Sequence, residues 1–145
     1  MDTICKGLLA GLAGTAAMTV SSMVEEKLRG RPPSSAPADA AAKVLGIEDF
    51  ASDEAKSRFS TGVHWAYGTG WGVARALLGK VLPPRAATAA HFVAVWGGQA
   101  VMLPALGVAP PITDWGAEEV AIDAFHHVVY VTATGFSYQL LNGRR

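Results

Sequence analysis

The chain has 145 residues, half of them hydrophobic and 17% charged, and its twelve bases balance its twelve acids. That length suits one domain. The neutral balance leaves no basic footprint for nucleic acid, and the low polarity excludes a disordered acidic tail. The single cysteine, Cys5, has no internal disulfide partner, and no CxxC pair offers zinc or redox chemistry. A mean hydropathy of +0.26 conceals a strong segregation of charge along the chain. Charge-free runs cover Gly7–Val24, Phe59–Ala74, Ala86–Thr113 and Ala124–Gly143. Crossing a bilayer core takes about 20 apolar helical residues. The runs are rich in Gly and Ala and lack apolar–polar alternation, which predicts closely packed helices and not strands.

The first predicted helix covers Ile4–Leu28. On it Gly7, Gly11, Gly14, Met18, Ser21 and Glu25 recur at three- and four-residue steps and share one face. The Gly7-x3-Gly11 spacing lets two helix backbones approach closely, here within the chain and not between copies. A polar hairpin over about residues 29–59 follows. Arg31-Pro32-Pro33-Ser34-Ser35 stops the first helix, Ala38–Leu45 backed by Gly46 reads as a short capped helix, and Asp53–Phe59 leads into the second span. Its mixture of acids and bases reads as solvated surface.

The second predicted helix covers Ser60–Val81, with Arg75 reaching the interface by snorkelling. His64, Gly68, Gly72 and Arg75 share a face, with Trp71 beside it. The third covers Ala86–Leu106 and has no polar face at all, unlike a helix of a soluble bundle. The fourth covers Ala117–Leu141, with Asp114 placed to cap it. Pro-Pro follows each odd helix (Pro32-Pro33, Pro110-Pro111), and each even helix contains His-x-x-Tyr (His64/Tyr67, His127/Tyr130), a faint parallel repeat. A soluble helical bundle and a cleavable signal peptide over the first helix are the competing readings. Lys6, Lys80, Arg85 and Arg144-Arg145 favour both termini on the cytoplasmic side, although the bases of the first loop oppose this.

An ionisable side chain inside a bilayer is costly and needs a reason. In an up-down-up-down bundle, the end of helix one, the start of two, the end of three and the start of four share one level. Glu25 and Glu26, His64, and Glu118, Glu119, Asp123, His126 and His127 then converge there. Glu119, Asp123 and His127 stand on one helical face. His91 starts helix three and falls at the other end. The candidate site is therefore Glu25, His64, Glu119, Asp123 and His127. Three uses are open: a structural polar clamp, a divalent-metal site for zinc, iron or manganese, or a titrating proton site. Asp123, a full turn inside the apolar run, calls for a partner in His64 or His127. No nucleophile elbow, Walker loop, dinucleotide glycine pattern or HExxH occurs, so the chain is read as non-enzymatic.

The chain resembles the YagU-like bacterial inner-membrane proteins, a family whose domain has no assigned activity. The resemblance rests on Gly62-Val63-His64, on Pro104-Ala105-Leu106-Gly107-Val108-Ala109-Pro110-Pro111 followed by Asp114, and on Glu119-x3-Asp123-x-Phe125-x-His127. A glycine-rich first helix ending in Glu25 before a Pro-Pro turn is similar too. The family pattern has Glu at the place of Asp123, which keeps the carboxylate with a shorter reach. His126 stands where a small residue is expected, which favours His127. What the resemblance implies is a multi-pass inner-membrane protein with a shared polar site and no reaction.

The expected fold is all-α, a single transmembrane domain of four helices in two antiparallel hairpins. Pro104–Pro111 folds back over the polar level, Trp65 and Trp115 sit near one interface, and Trp71 and Trp96 lie nearer the middle. The expected partners are the lipid bilayer and either a second copy or a larger membrane complex in which the chain is an accessory subunit.

Overall fold

The computed structural model describes residues 1–143, so the Arg144-Arg145 pair used for sidedness lies outside the described residues. The described residues are all-helical, without a strand. Helix α1 (Thr3–Arg29) starts where the Asp2 carboxylate accepts the Cys5 backbone N–H at 2.8 Å, and it stops at Gly30, whose φ of 64° is the left-handed cap that glycine adopts freely. Helix α2 (Ala36–Leu45) carries a proline in its first turn and ends at Gly46, also left-handed.

Helix α3 (Asp53–Val81) starts where Ser52 caps the Ala55 N–H, with Asp53 and Glu54 complementing the helix dipole. The expected lead-in and second span are therefore one continuous helix of 29 residues. The third segment is broken where a single helix was expected. Helix α4 (Pro84–Phe92) passes into a π-helical turn at Val93–Gly97, and helix α5 (Gly98–Ala105) continues it, with Pro104 in its last turn. Helix α6 (Ala117–Leu141) begins at Gly116 without a side-chain cap. Asp114 does not cap it: that residue closes a 3-10 turn at Ile112–Asp114, and its carboxylate accepts the neighbouring Thr113 hydroxyl instead.

Contacts in opposite order along the two chains make α1 antiparallel to α3. A Cβ on Gly7 would stand 2.8 Å from the Gly72 carbonyl oxygen, and one on Gly11 would stand 2.9 Å from that of Gly68. Farther along α1, Thr19 meets His64. Helix α1 is also antiparallel to α6. Lys6 donates to Asn142 at 3.0 Å, Gly14 packs on Tyr130 and Thr134, and Ser21 meets His126. Close backbone approach of this kind gathers many dispersion contacts between the helices. Gly7, Gly11, Gly14, Gly68 and Gly72 thus serve the packing expected of them, inside the chain. The α4–α5 segment runs against α6 and α3, antiparallel to both, through Thr88 beside Gly135 and through Trp96 and Gln99 on Asp123.

Two segments, Thr3–Arg29 and Pro84–Ala105, are long and apolar enough to cross a membrane, with mean hydropathies of 1.5 and 1.3. Helices α3 and α6 do not meet that measure. Their residues are sorted nevertheless: α6 buries His126, His127, Tyr130, Thr134 and Tyr138 and exposes Phe125, Val128, Phe136 and Leu140.

Candidate functional site

The five expected site residues lie in the same half of the bundle, but Glu119 and His127 stand eight residues, about 12 Å, apart along α6, and the structure divides the five into separate pairings. Glu25, at the end of α1, accepts from Arg29 at 3.1 Å and from Arg31 Nε at 2.8 Å, and it is also paired with Arg31 Nη2. Glu119 accepts from Arg29 at 2.6 Å, with Glu118 3.4 Å from the same guanidinium. One arginine thus ties the end of α1 to the start of α6. The network is largely solvated, where each ion pair contributes about 0–1 kcal/mol.

His64 belongs to a different contact. Its Nε2 lies 2.9 Å from the Thr19 hydroxyl, which itself donates to the Thr15 carbonyl at 2.7 Å. Since the one hydroxyl proton is already engaged, Nε2 is the donor to Thr19, which fixes the tautomer of His64. Asp123 is not partnered by His64, and of the two expected partners His127 alone comes within ion-pair range, while the short hydrogen bonds come from elsewhere. Asp123 Oδ2 accepts from the Trp96 indole at 2.8 Å and from the Gln99 amide at 2.7 Å, both from the third segment. His127 Nδ1 instead donates to the Asp123 backbone carbonyl at 2.8 Å and stays 3.8 Å from its carboxylate. The carboxylate is thus engaged across the bundle, with α5 and the π turn held on α6.

His126, set aside in favour of His127, takes the more central place. Its Nδ1 lies 2.7 Å from the Ser21 hydroxyl, and its Nε2 lies 3.7 Å from Glu25. Among the described residues no three His, Cys, Asp or Glu side chains stand together as metal ligands. The carboxylates most inward in that half are occupied by arginine, indole and amide donors, which compete with a cation for the same lone pairs. The Pro104–Pro111 segment spends its hydrogen bonds locally: Gly107 N–H donates to Pro104 and the Trp115 indole donates to the Pro110 carbonyl at 3.0 Å.

One residue needs correction outright. Arg75 does not snorkel; it is 1% exposed, among Gly79, Gly135 and Tyr138. His91, expected at the other end of the bundle from the candidate site, is fully buried, its ring centroid 6.2 Å from that of Trp71 and 5.5 Å from that of Tyr130. The signal for Arg75 lay in its own helical face. It falls in line with Gly68 and Gly72, the residues that face the packed interior, so its side chain starts toward the interior and not toward the outer surface. Gln99, the one side-chain amide in the Ala86–Thr113 run, was the corresponding signal for the Asp123 contact.

Outside the bundle, Lys56 of α3 pairs with Asp39 of α2 at 2.9 Å. The Ser35 hydroxyl first, and then the Lys56 ammonium, hold the Asp39 carboxyl below its ordinary value of 3.8.

No protein-family model matches the chain, and no curated protein or solved structure matches it either.

Proposed function

We propose that the chain is a small, four-span, non-enzymatic inner-membrane protein whose His/carboxylate level clamps the helices of the bundle together. The observation that carries this reading is the inverted placement of side chains. The largest fully buried residues are Arg75, His91, Thr15 and Thr134, whereas Leu9, Leu12, Val20, Leu77, Val93, Val101, Val128 and Phe136 face outward. In water that arrangement would expose apolar surface and bury polar groups at a cost on both counts. In lipid it is the favourable one. Within the apolar stretches of α3 and α6, Arg75, His126, His127, Thr134 and Tyr138 are turned inward, while Glu54, Arg58, Glu118 and Glu119 stay exposed toward the helix starts. The clamp reading, in preference to metal or proton traffic, rests on Asp123 accepting two donors from another segment. A YagU-like relationship, carried by the motifs quoted above, belongs to the same proposal, as do cytoplasmic termini.

The test uses a bimane label at single cysteines replacing Val128 or Phe136, in a Cys5→Ser background, in liposomes of brominated phosphatidylcholine. Quenching by the brominated chains and protection from aqueous iodide are expected. Quenching by iodide alone would contradict a spanning α6.

A second reading, an accessory subunit of a larger membrane complex, is favoured by one observation. The α1 glycines are consumed inside the bundle, but a Cβ at Gly62, Gly70, Gly97 or Gly98 would meet nothing within 4 Å. Ala66, Tyr67, Gly70, Trp71 and Ala74 line a shallow apolar groove on the outer face of α3. Small residues turned to lipid forgo packing that a neighbouring helix would supply.

A further inference from the structure

The interior level farther from the His/carboxylate clamp holds a cation without a counter-charge. Arg75 is buried, yet its Nε and Nη1 have no hydrogen-bond partner, and its one hydrogen bond, from Nη2 to the Pro84 carbonyl, is long at 3.4 Å. Nε and Nη1 lie on different edges of the guanidinium, so neither of its forks is filled. Among the described residues no carboxylate pairs with it; the Tyr138 ring, 5.5 Å from Cζ, is its nearest electrostatic compensation. Farther along α4, His91 is likewise buried; neither ring nitrogen makes a hydrogen bond of full geometry, and the nearest acceptor to it is the Trp71 backbone carbonyl. A buried guanidinium left unpaired costs several kcal/mol, and imidazole nitrogens left dry add to it. Space for the group is built in: a Cβ at Gly79 would stand 2.9 Å from Nη1 and one at Gly135 would stand 3.4 Å from Nε.

We infer that Arg75 and His91 form an anion site between α3, α4 and α6, and that its ligand is a phosphate-class oxyanion. The guanidinium supplies charge and planar donor forks matched to phosphate oxygens, and the neutral imidazole supplies one further N–H. The surroundings agree in charge. Lys6, Lys80 and Arg85 outnumber Asp2 at this end of the bundle, whereas at the opposite end Glu25, Glu118 and Glu119 are matched by Arg29 and Arg31. Arg75 lies six residues before the end of α3, about 9 Å along the axis, near the basic end of the bundle, and basic pockets between helices are the kind of site that takes phosphate head groups. The shortest element bounding the site is α4, nine residues between Pro83 and the π turn, so the oxyanion is expected to enter beside it. The inference stands on the packing of three helices and not on how many of them cross a bilayer, so its failure is separable from that of the four-span reading.

The test uses the full chain in detergent, as wild type and as Arg75→Gln and His91→Gln. Thermal stability is followed against inorganic phosphate at matched ionic strength, and native mass spectrometry follows binding of dioleoylphosphatidylglycerol and dioleoylphosphatidylcholine. Wild type is expected to be stabilised and to bind one ligand, with affinity about tenfold lower in Arg75→Gln and reduced in His91→Gln. Stabilisation by phosphate alone identifies a free oxyanion as the ligand. Retention of one phospholipid, displaced by phosphate, identifies a headgroup. Absence of any shift with all three probes overturns the site, as does equal binding by wild type and Arg75→Gln. If Arg75→Gln does not fold, Arg75→Lys makes the same comparison, because it keeps the charge and removes the fork.

Discussion

Asp123 shows how a single carboxylate can be placed by sequence and only in part partnered by it, His127 standing 3.8 Å away while the short hydrogen bonds come from Trp96 and Gln99. Its position one turn inside an apolar run marks it as a residue that must be satisfied inside the bundle. Which donors satisfy it depends on the rotation of the third segment, and nothing in the local pattern encodes that rotation. The Trp96 indole and Gln99 amide fill the role expected of His64 or His127. Asp123→Ala leaves both donors without an acceptor and is expected to destabilise the bundle by about 1–3 kcal/mol. Asp123→Asn keeps a carbonyl oxygen and is expected to lose less than half of that. Equilibrium unfolding in mixed detergent micelles checks both, and equal stability of wild type and Asp123→Ala would refute the clamp. Arg75 carries the opposite lesson. Its face was legible from its spacing to Gly68 and Gly72, but the habit of long basic side chains to reach water competed with that signal, and tertiary packing decided against it.

Among the elements, α1 and α6 were the most legible, because uninterrupted apolar runs bounded by Asp2, Gly30 and Gly116 leave a helix few alternative limits. The third segment was the least legible. A π turn adds no residue type of its own, and only the Gly97-Gly98 pair and Pro104 hinted that Ala86–Leu106 would not run as one regular helix. The glycine face gives a direct prediction for the α1–α3 seam. Gly72→Val drives a side chain into the backbone of Gly7 and Gly11 and is expected to unfold or dissociate the seam, at a cost of about 3 kcal/mol or more. Gly70→Ala, two residues away and facing open space, is expected to stay within about 0.5 kcal/mol of wild type. Thermal denaturation of the pair in the same detergent separates packing from helix propensity; equal losses would show that α1 does not dock there.

The α2–α3 tether is the element that responds to acid. Asp39 holds its proton less tightly in the folded chain than in the unfolded one. Its pairing with Lys56 therefore stabilises fully above the ordinary carboxyl value of 3.8 and is lost as pH falls below that through the lowered folded value. The pair is partly exposed, so the effect on overall stability stays below about 1 kcal/mol. Hydrogen-exchange protection factors over Ala36–Leu45, corrected for the intrinsic pH dependence of amide exchange, are expected to be unchanged from pH 7 to 5 and lower below pH ~4, with Asp39→Asn abolishing the difference. A response centred near pH 6 would point to another group.

At the scale of the whole molecule, antiparallel order along α1, α3, α4–α5 and α6 brings the two ends of the bundle into different chemical roles. The end with Glu25, Glu118, Glu119 and Arg29 is an ion-paired rim, and the opposite end gathers Lys6, Lys80 and Arg85 around a buried Arg75. Helical class and the up-and-down order followed from the periodicity and the spacing of charge. The division of the polar residues into a clamp and a separate Arg75/His91 level did not, because it depends on which faces meet across three helices. The measurement that bears most directly on the four-span bundle is labelling of single cysteines in intact cells with a membrane-impermeant maleimide. In a Cys5→Ser background, cysteines replace Phe50, Leu82, Pro110 and Gly143 one at a time. Four spans with cytoplasmic termini require Phe50 and Pro110 positions to react from outside and Leu82 and Gly143 positions to react only after the membrane is opened. Reaction of all four positions from the same side would contradict the bundle as a membrane-spanning unit.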